Sequence, residues 1–167
     1  MRPVSFDVNH LLLEEGVYLH SVHNLTQYTK LYTYDLRFVA PRSGFGVLGR
    51  IPKKAAHSIE HILATTFRFN RDINYTPYVG GMLCMTGFYV ITKTPPERFL
   101  TELKAALLNS LQYSVVPAAN ELECGSPYMH SIKGALKWLQ KYYNIIKDKE
   151  VLDEYPILDY PQSGKHY

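Results

Sequence analysis

The chain has 167 residues, 46% hydrophobic and 20% charged, a length and mix that suit one globular domain and exclude a disordered or fibrous polypeptide. A formal net charge of +3 is spread over scattered lysines and arginines, so no basic stripe marks a nucleic-acid surface. No apolar run is long enough to cross a bilayer, and the start, MRPVSFDVNH, carries no secretory signal; a cytoplasmic protein is expected.

In chain order, Val17 to Leu25 and Leu31 to Val39 read as two strands. In the second, Leu36 and Phe38 point to one face, and Asp35 and Arg37 to the other. Pro41 to Pro52, with Gly44, Gly46 and Gly49, reads as a loop. Ala55 to about Phe69 then reads as a helix with Ile59, Leu63 and Thr66 or Phe67 as its apolar stripe. Tyr75 to Gly81 is turn-like, and the apolar run Met82 to Lys93 reads as a third strand. Thr94-Pro95-Pro96-Glu97 has the make-up of a helix start, with Thr94 as cap, Pro95 in the first helical position and Glu97 completing a capping box. Leu100, Leu103, Leu107 and Leu111 follow at helical spacing, and Pro117 closes the segment. A last helix is expected over His130 to Ile146, with Ile132, Leu136, Leu139 and Tyr143 on one face. The tail beyond Lys147 mixes charges with Pro156 and Pro161 and reads as loosely ordered.

The strands are few and unlike the all-apolar runs of a parallel sheet. The fold class is α+β: a single domain, residues 1–150, with an antiparallel sheet covered by helices, and a tail at 151–167. Fourteen tyrosines suit half-buried strands and interfaces, because each joins a large apolar ring to a polar tip.

The pentapeptide His57-Ser58-Ile59-Glu60-His61 carries the most chemistry. Residues four apart on a helix share a face, so both imidazoles can reach one ion, with Glu60 at the same edge. This is the H-x-x-E-H pattern of the inverted zinc peptidases. Two histidines leave a catalytic site incomplete, since three protein ligands and one open position are usual. On chemistry alone the third ligand is open among His20, His23, His130, Glu121, Glu123 and Cys124. The two cysteines, Cys84 and Cys124, are in a reducing cytosol more often buried, metal-binding or catalytic than paired.

The chain resembles the S-ribosylhomocysteine lyases, or LuxS proteins. The resemblance runs through Ser5-Phe6-Asp7 and His10, Tyr34-Asp35-Leu36-Arg37-Phe38, His57-Ser58-Ile59-Glu60-His61, Cys84, Thr86-Gly87-Phe88-Tyr89, and Pro117-Ala118-Ala119-Asn120-Glu121 leading to Cys124-Gly125. It implies that His57, His61 and Cys124 ligate the metal, ferrous iron in the family, with zinc or cobalt able to replace it in purified protein. It implies Glu60 and Cys84 as acid/base residues, and Ser5, His10 and Arg37 near the substrate, with His10 supplied across a homodimer interface. The implied reaction cleaves S-ribosylhomocysteine to homocysteine and 4,5-dihydroxy-2,3-pentanedione, the autoinducer-2 precursor of quorum sensing, and returns homocysteine to the activated methyl cycle.

Such chemistry has a physical logic. Homocysteine leaves well only when a carbonyl lies two carbons away, so the sugar carbonyl must walk from C1 to C3 before β-elimination. A Lewis acid assists each enolisation, and two proton shuttles serve different atoms. A cation such as Arg37 would favour the Cys84 thiolate.

One segment departs from the family pattern: Tyr78 stands where an aspartate is expected, and Leu83 replaces a glycine before Cys84. Two other readings are an H-x-x-E-H metallopeptidase and a non-catalytic metal-binding paralogue with an altered pocket.

Overall fold

The computed structural model describes residues 4–43, 49–69, 74–124 and 126–159. Four strands, β1 (Gly16–Asn24), β2 (Lys30–Arg37), β3 (Tyr78–Gly81) and β4 (Gly87–Thr92), form one antiparallel sheet in the order β1-β2-β4-β3. A single turn, α1 (Val4–Asp7), precedes them, and three longer helices, α2 (Lys53–Arg68), α3 (Pro96–Ser110) and α4 (Ile132–Ile146), complete the expected α+β domain.

The alternation in β2 decides which side the helices take. Tyr34 and Leu36, with Phe38 beyond the strand, are at most 1% exposed and face the core. Tyr34 stacks on Phe99 of α3 with ring centroids 3.5 Å apart, and Phe38 stacks on Tyr142 of α4 at 3.9 Å. Both tyrosine hydroxyls keep a partner inside: Tyr34 donates to the Thr94 carbonyl at 2.9 Å and Tyr142 to the Gly16 carbonyl at 2.8 Å. These rings can therefore be buried without stranding a polar atom.

The opposite face of the sheet is also covered. Val8 pairs with Ile157, Tyr18 pairs with Asp153, and Tyr155 stacks on Tyr18 at 4.6 Å. The Val17 amide donates to Asp153 Oδ2 at 2.9 Å. Residues 148–159 are therefore not the loosely ordered tail expected; with the amino-terminal segment they roof the polar side of β1, β2 and β4. A slip in the β1–β2 register between Leu19 and Ser21 puts His20 under that roof beside Tyr89, at 5.1 Å between rings.

Four local expectations are corrected. Tyr78–Gly81 is a strand paired with β4, whereas Met82–Thr86, read as strand from its apolar run, is the turn between them. The turn closes through Met85 N–H to Met82 O at 2.9 Å, with Met85 at φ 58°. Pro95 is the α3 cap residue and no side chain caps that helix; Thr94 is buried and donates instead to Glu102 Oε2 at 2.8 Å. The buried face of α4 is Ala135, Leu139, Tyr142 and Ile146, with Ser131 capping through the Gly134 amide. The Ile132, Leu136 and Tyr143 stripe thus lies at the rim, because the core takes the row that fits Phe38 and β1. Of the loop at Pro41–Pro52, Pro41–Ser43 form a 3-10 turn and residues 44–48 lie outside the described residues.

Candidate metal centre and the clefts beside it

Helix α2 buries Ala55, Ala56, Ser58, Ile59, Ile62, Leu63 and Phe67, which turns His57, Glu60 and His61 toward its opposite edge. Ligand atoms of His57, His61 and Cys124 all lie within 4.8 Å of one another, and Cys124 Sγ is 3.6 Å from His57 Nε2. His61 Nδ1 is 2.7 Å from the Pro117 carbonyl. A carbonyl only accepts, so Nδ1 carries the proton and the lone pair is on Nε2, the state a metal-ligating imidazole needs. Burial and the neighbouring His61 hold His57 below the usual histidine range, which also favours the neutral ring.

Cys124 comes from a loop whose shape is local. The Asn120 side-chain carbonyl accepts from the Leu122 and Glu123 amides at 3.1 and 3.2 Å, and the Cys124 amide donates to the Asn120 carbonyl at 3.1 Å. This Asx-type turn swings the thiol toward α2 and leaves Glu121 and Glu123 exposed. Both cysteines are free.

His130, a third-ligand candidate on chemistry alone to which the resemblance gives no role, belongs to this cluster. Its ring lies on that of His57 at 4.0 Å; Nδ1 is 3.3 Å from Ser58 Oγ and Nε2 is 3.4 Å from the Cys124 carbonyl. It touches the ligands without being in the ligand set. Its place among the third-ligand candidates was the one signal in the sequence, since contact depends on how α4 docks against α2. His20 and His23 lie on β1, away from the cluster.

Glu60 lines a cleft of about 570 Å³ with His57, Met82, Met85, Tyr128 and Met129. Burial raises the Glu60 pKa above the usual carboxylate value, partly opposed by His61, which suits a group that exchanges protons near neutrality. The wall is mainly apolar. Tyr78 is half exposed on β3, and Leu83, 95% exposed, reaches out from the cleft wall.

Cys84 sits exposed in the turn before β4, so it is not the core cysteine an apolar strand would have made it. Its Sγ is 2.9 Å from Thr86 Oγ1, and Arg37 Nη1 donates to that same oxygen at 2.7 Å. Arg37 is 6% exposed and therefore not a solvent-facing residue. Burial alone would lower its pKa, but the pair with Asp35, Nη2 to Oδ2 at 2.5 Å, raises it overall. Ser5, His10 and Arg37 share a second cavity of about 10 Å³ under the roof, with Asp35, His20 and Tyr155. Of the expected site residues, His57 and Glu60 thus line one cavity and Ser5, His10 and Arg37 another, while Cys84 lines neither.

Among the described residues no helix is long and apolar enough to cross a membrane. The family model for LuxS, S-ribosylhomocysteinase, matches residues 4–152, a span that contains the metal cluster, both cavities' sequence-expected residues and the whole sheet. With a match over nearly the full chain and three convergent donors at its centre, the chain belongs to the S-ribosylhomocysteinase (LuxS) family and is a carbon–sulfur lyase of a metal-dependent kind.

Proposed function

We propose that the chain cleaves S-ribosylhomocysteine to homocysteine and 4,5-dihydroxy-2,3-pentanedione by carbonyl migration and β-elimination, with His57, His61 and Cys124 holding one ferrous ion per subunit. The observation that carries this reading is the cluster itself: three donor atoms within 4.8 Å, on the helix edge from which Glu60 enters an apolar cleft. The donors fit the group, because two neutral imidazoles and a thiolate suit iron, zinc or cobalt. When bound, such an ion supplies Lewis acidity toward the sugar oxygens.

The chain's own residues then move the protons. The Cys84 thiolate takes the C2 proton of the open sugar, the electron pair forms an enediol with C1, and the proton returned to C1 leaves a carbonyl at C2. Repetition one carbon along places the carbonyl at C3. Loss of the C4 proton then expels homocysteine thiolate from C5, and the enol left behind gives up its hydroxyl proton and takes one at C5 to become the dione. Glu60, whose burial raises its pKa, carries oxygen protons between neighbouring hydroxyls and protonates the departing sulfur. The apolar wall of Met82, Met85 and Met129 suits the thioether and excludes water from the enediol.

The substrate-side residues support a homodimer. Ser5 and His10 line a cavity distinct from that of Glu60, and Phe6, Leu11 and Leu12 beside them are 61%, 73% and 59% exposed. A second copy covering this apolar patch would bring His10 to its neighbour's cleft. The free cysteines suit a cytoplasmic setting.

The test is anaerobic purification with iron(II) or cobalt(II), addition of S-ribosylhomocysteine and measurement of free thiol. Release abolished in Cys84→Ala and Glu60→Gln supports the reading; no release above the Cys84→Ala background overturns it. A protein that binds one ion per chain yet releases no thiol would favour the non-catalytic paralogue, for which Leu83 in the cleft wall is the specific feature. Light scattering that finds only monomer would overturn the dimer.

A further inference from the structure

Residues beyond 152 lie outside the family match, yet one of them enters the machinery around Cys84. Tyr155 Oη donates to Asp35 Oδ2 at 2.9 Å, the same oxygen that receives Arg37 Nη2 at 2.5 Å. Two donors converge on one carboxylate oxygen. The other, Oδ1, and Arg37 Nε are buried and find no hydrogen-bond partner among the described residues.

An arginine and a carboxylate normally pair fork to fork, and that arrangement would satisfy both orphaned atoms. Here the pair is held at a single contact instead. The tyrosine hydroxyl pins Oδ2 from one side. In the orientation this single contact fixes, Arg37 Nη1 donates to Thr86 Oγ1 at 2.7 Å, and Thr86 Oγ1 is 2.9 Å from Cys84 Sγ. Because Thr86 Oγ1 already accepts from the guanidinium, its own hydrogen is free to be donated to a thiolate. With Thr86 as donor to the sulfur, the links run from Tyr155 to Asp35 and from Arg37 through Thr86 to Cys84; Tyr155 Oη also lies 3.5 Å from His20 Nδ1.

We infer that Tyr155 is a positioning residue that keeps the Asp35–Arg37 pair single-pointed, so that the cationic fork reaches Cys84 through Thr86. The carboxy-terminal segment is then part of the thiol's environment and not an appendage. Burial and Asp35 raise the Tyr155 pKa, so the hydroxyl stays a donor throughout the working range. The other titratable groups facing the pair are His20 and Tyr18 from β1, Tyr89 from β4, Tyr142 from α4, and His10 from the amino-terminal segment. None is hydrogen-bonded to Asp35 or Arg37. Removing the Tyr155 hydroxyl frees Asp35 to close on Arg37 with both oxygens, and the guanidinium must turn to bring Nε to Oδ1, which carries Nη1 away from Thr86.

The use of this arrangement in catalysis rests on the role proposed above for Cys84; the arrangement itself is tested on the thiol directly. The rate of Cys84 alkylation by iodoacetamide is followed across pH in the metal-loaded protein, and the Cys84 peptide is read by mass spectrometry. Tyr155→Phe keeps the ring that stacks on Tyr18 and removes only the hydroxyl. The expected result is a rate roughly tenfold lower at pH 7, the effect of about one hydrogen bond to a charged group, with an unchanged plateau at high pH. Thr86→Val is expected to reproduce this profile, and adding Tyr155→Phe to it to change nothing more. Superimposable wild-type and Tyr155→Phe profiles overturn the inference. So does an equal change at every pH, which marks altered access and not altered thiolate. Wild-type protein that lacks lyase activity but shows the Tyr155 dependence sinks only the catalytic reading; active protein with no such dependence sinks only this one.

Discussion

Arg37 illustrates how much one buried side chain can hold. Its guanidinium and the Asp35 carboxylate are 7% and 1% exposed, so each has surrendered most of its hydration for the other. Removing one member leaves the survivor charged in a site built for a pair, a cost of about 3–5 kcal/mol. Arg37→Met is therefore expected to lower the free energy of urea unfolding by about that amount, and Arg37→Met combined with Asp35→Leu to recover much of it. Equal losses in the single and double variants would contradict this picture. His20, under the same roof, is held below the usual histidine value first by burial, with Asp35 opposing. The unfolded imidazole takes a proton near pH 6.5 and the folded one only at lower pH. The unfolded chain thus binds more protons in that window, and stability falls as pH drops below about 6.5. His57 and His130, also depressed by burial, act in the same direction. Denaturation curves for His20→Gln between pH 5 and 7 are expected to show a shallower acid loss than wild type; an identical slope would rule out the contribution.

At the scale of elements, legibility followed the reach of the interaction. The H-x-x-E-H helix was readable because i,i+4 spacing alone puts His57 and His61 on one edge, and neighbours in sequence decide it. The Leu36/Arg37 alternation was readable for the same reason. The turn at Met82–Thr86 was not, since its side chains are those of a strand and only the pairing of Tyr78–Gly81 with β4 forces the chain to reverse. The face of α4 was misplaced by one row, because Phe38 and Tyr142, far apart in sequence, choose it. His130 was one candidate ligand among several, Thr86 only part of a motif, and Tyr155 gave no signal; each matters through a contact that the fold assembles. Gly87 shows the constraint at its tightest. A Cβ there would lie 2.2 Å from the Leu36 carbonyl oxygen, and backbone cannot yield as a side chain can. Gly87→Ala is expected to part β2 from β4 beside Thr86, costing about 2–3 kcal/mol in the manner of overpacked sites. Hydrogen exchange at the Phe38 and Val39 amides, which bond to the Thr86 carbonyl, is expected to quicken; unchanged protection would refute it.

For the molecule as a whole, the sheet and its three helices form one continuous core, but the stretch from α3 to α4 stands apart from it. Val115 and Leu122 in that stretch are 69% and 98% exposed, and it is tied to α2 by the His61–Pro117 bond and the approach of Cys124 to His57. Joining Cys124 to two side chains of α2 closes a long loop of chain, and a cross-link of that kind acts by removing freedom from the open state. An ion held as proposed by His57, His61 and Cys124 would thus be a rivet as well as a reagent. Metal-loaded protein is expected to resist protease between residues 113 and 130, and chelation to expose that stretch to cutting while α2 and α3 stay intact. Loss of the ion would then first be visible as a nick in the backbone, and ordinary proteolysis would itself single out a chain that has lost its metal.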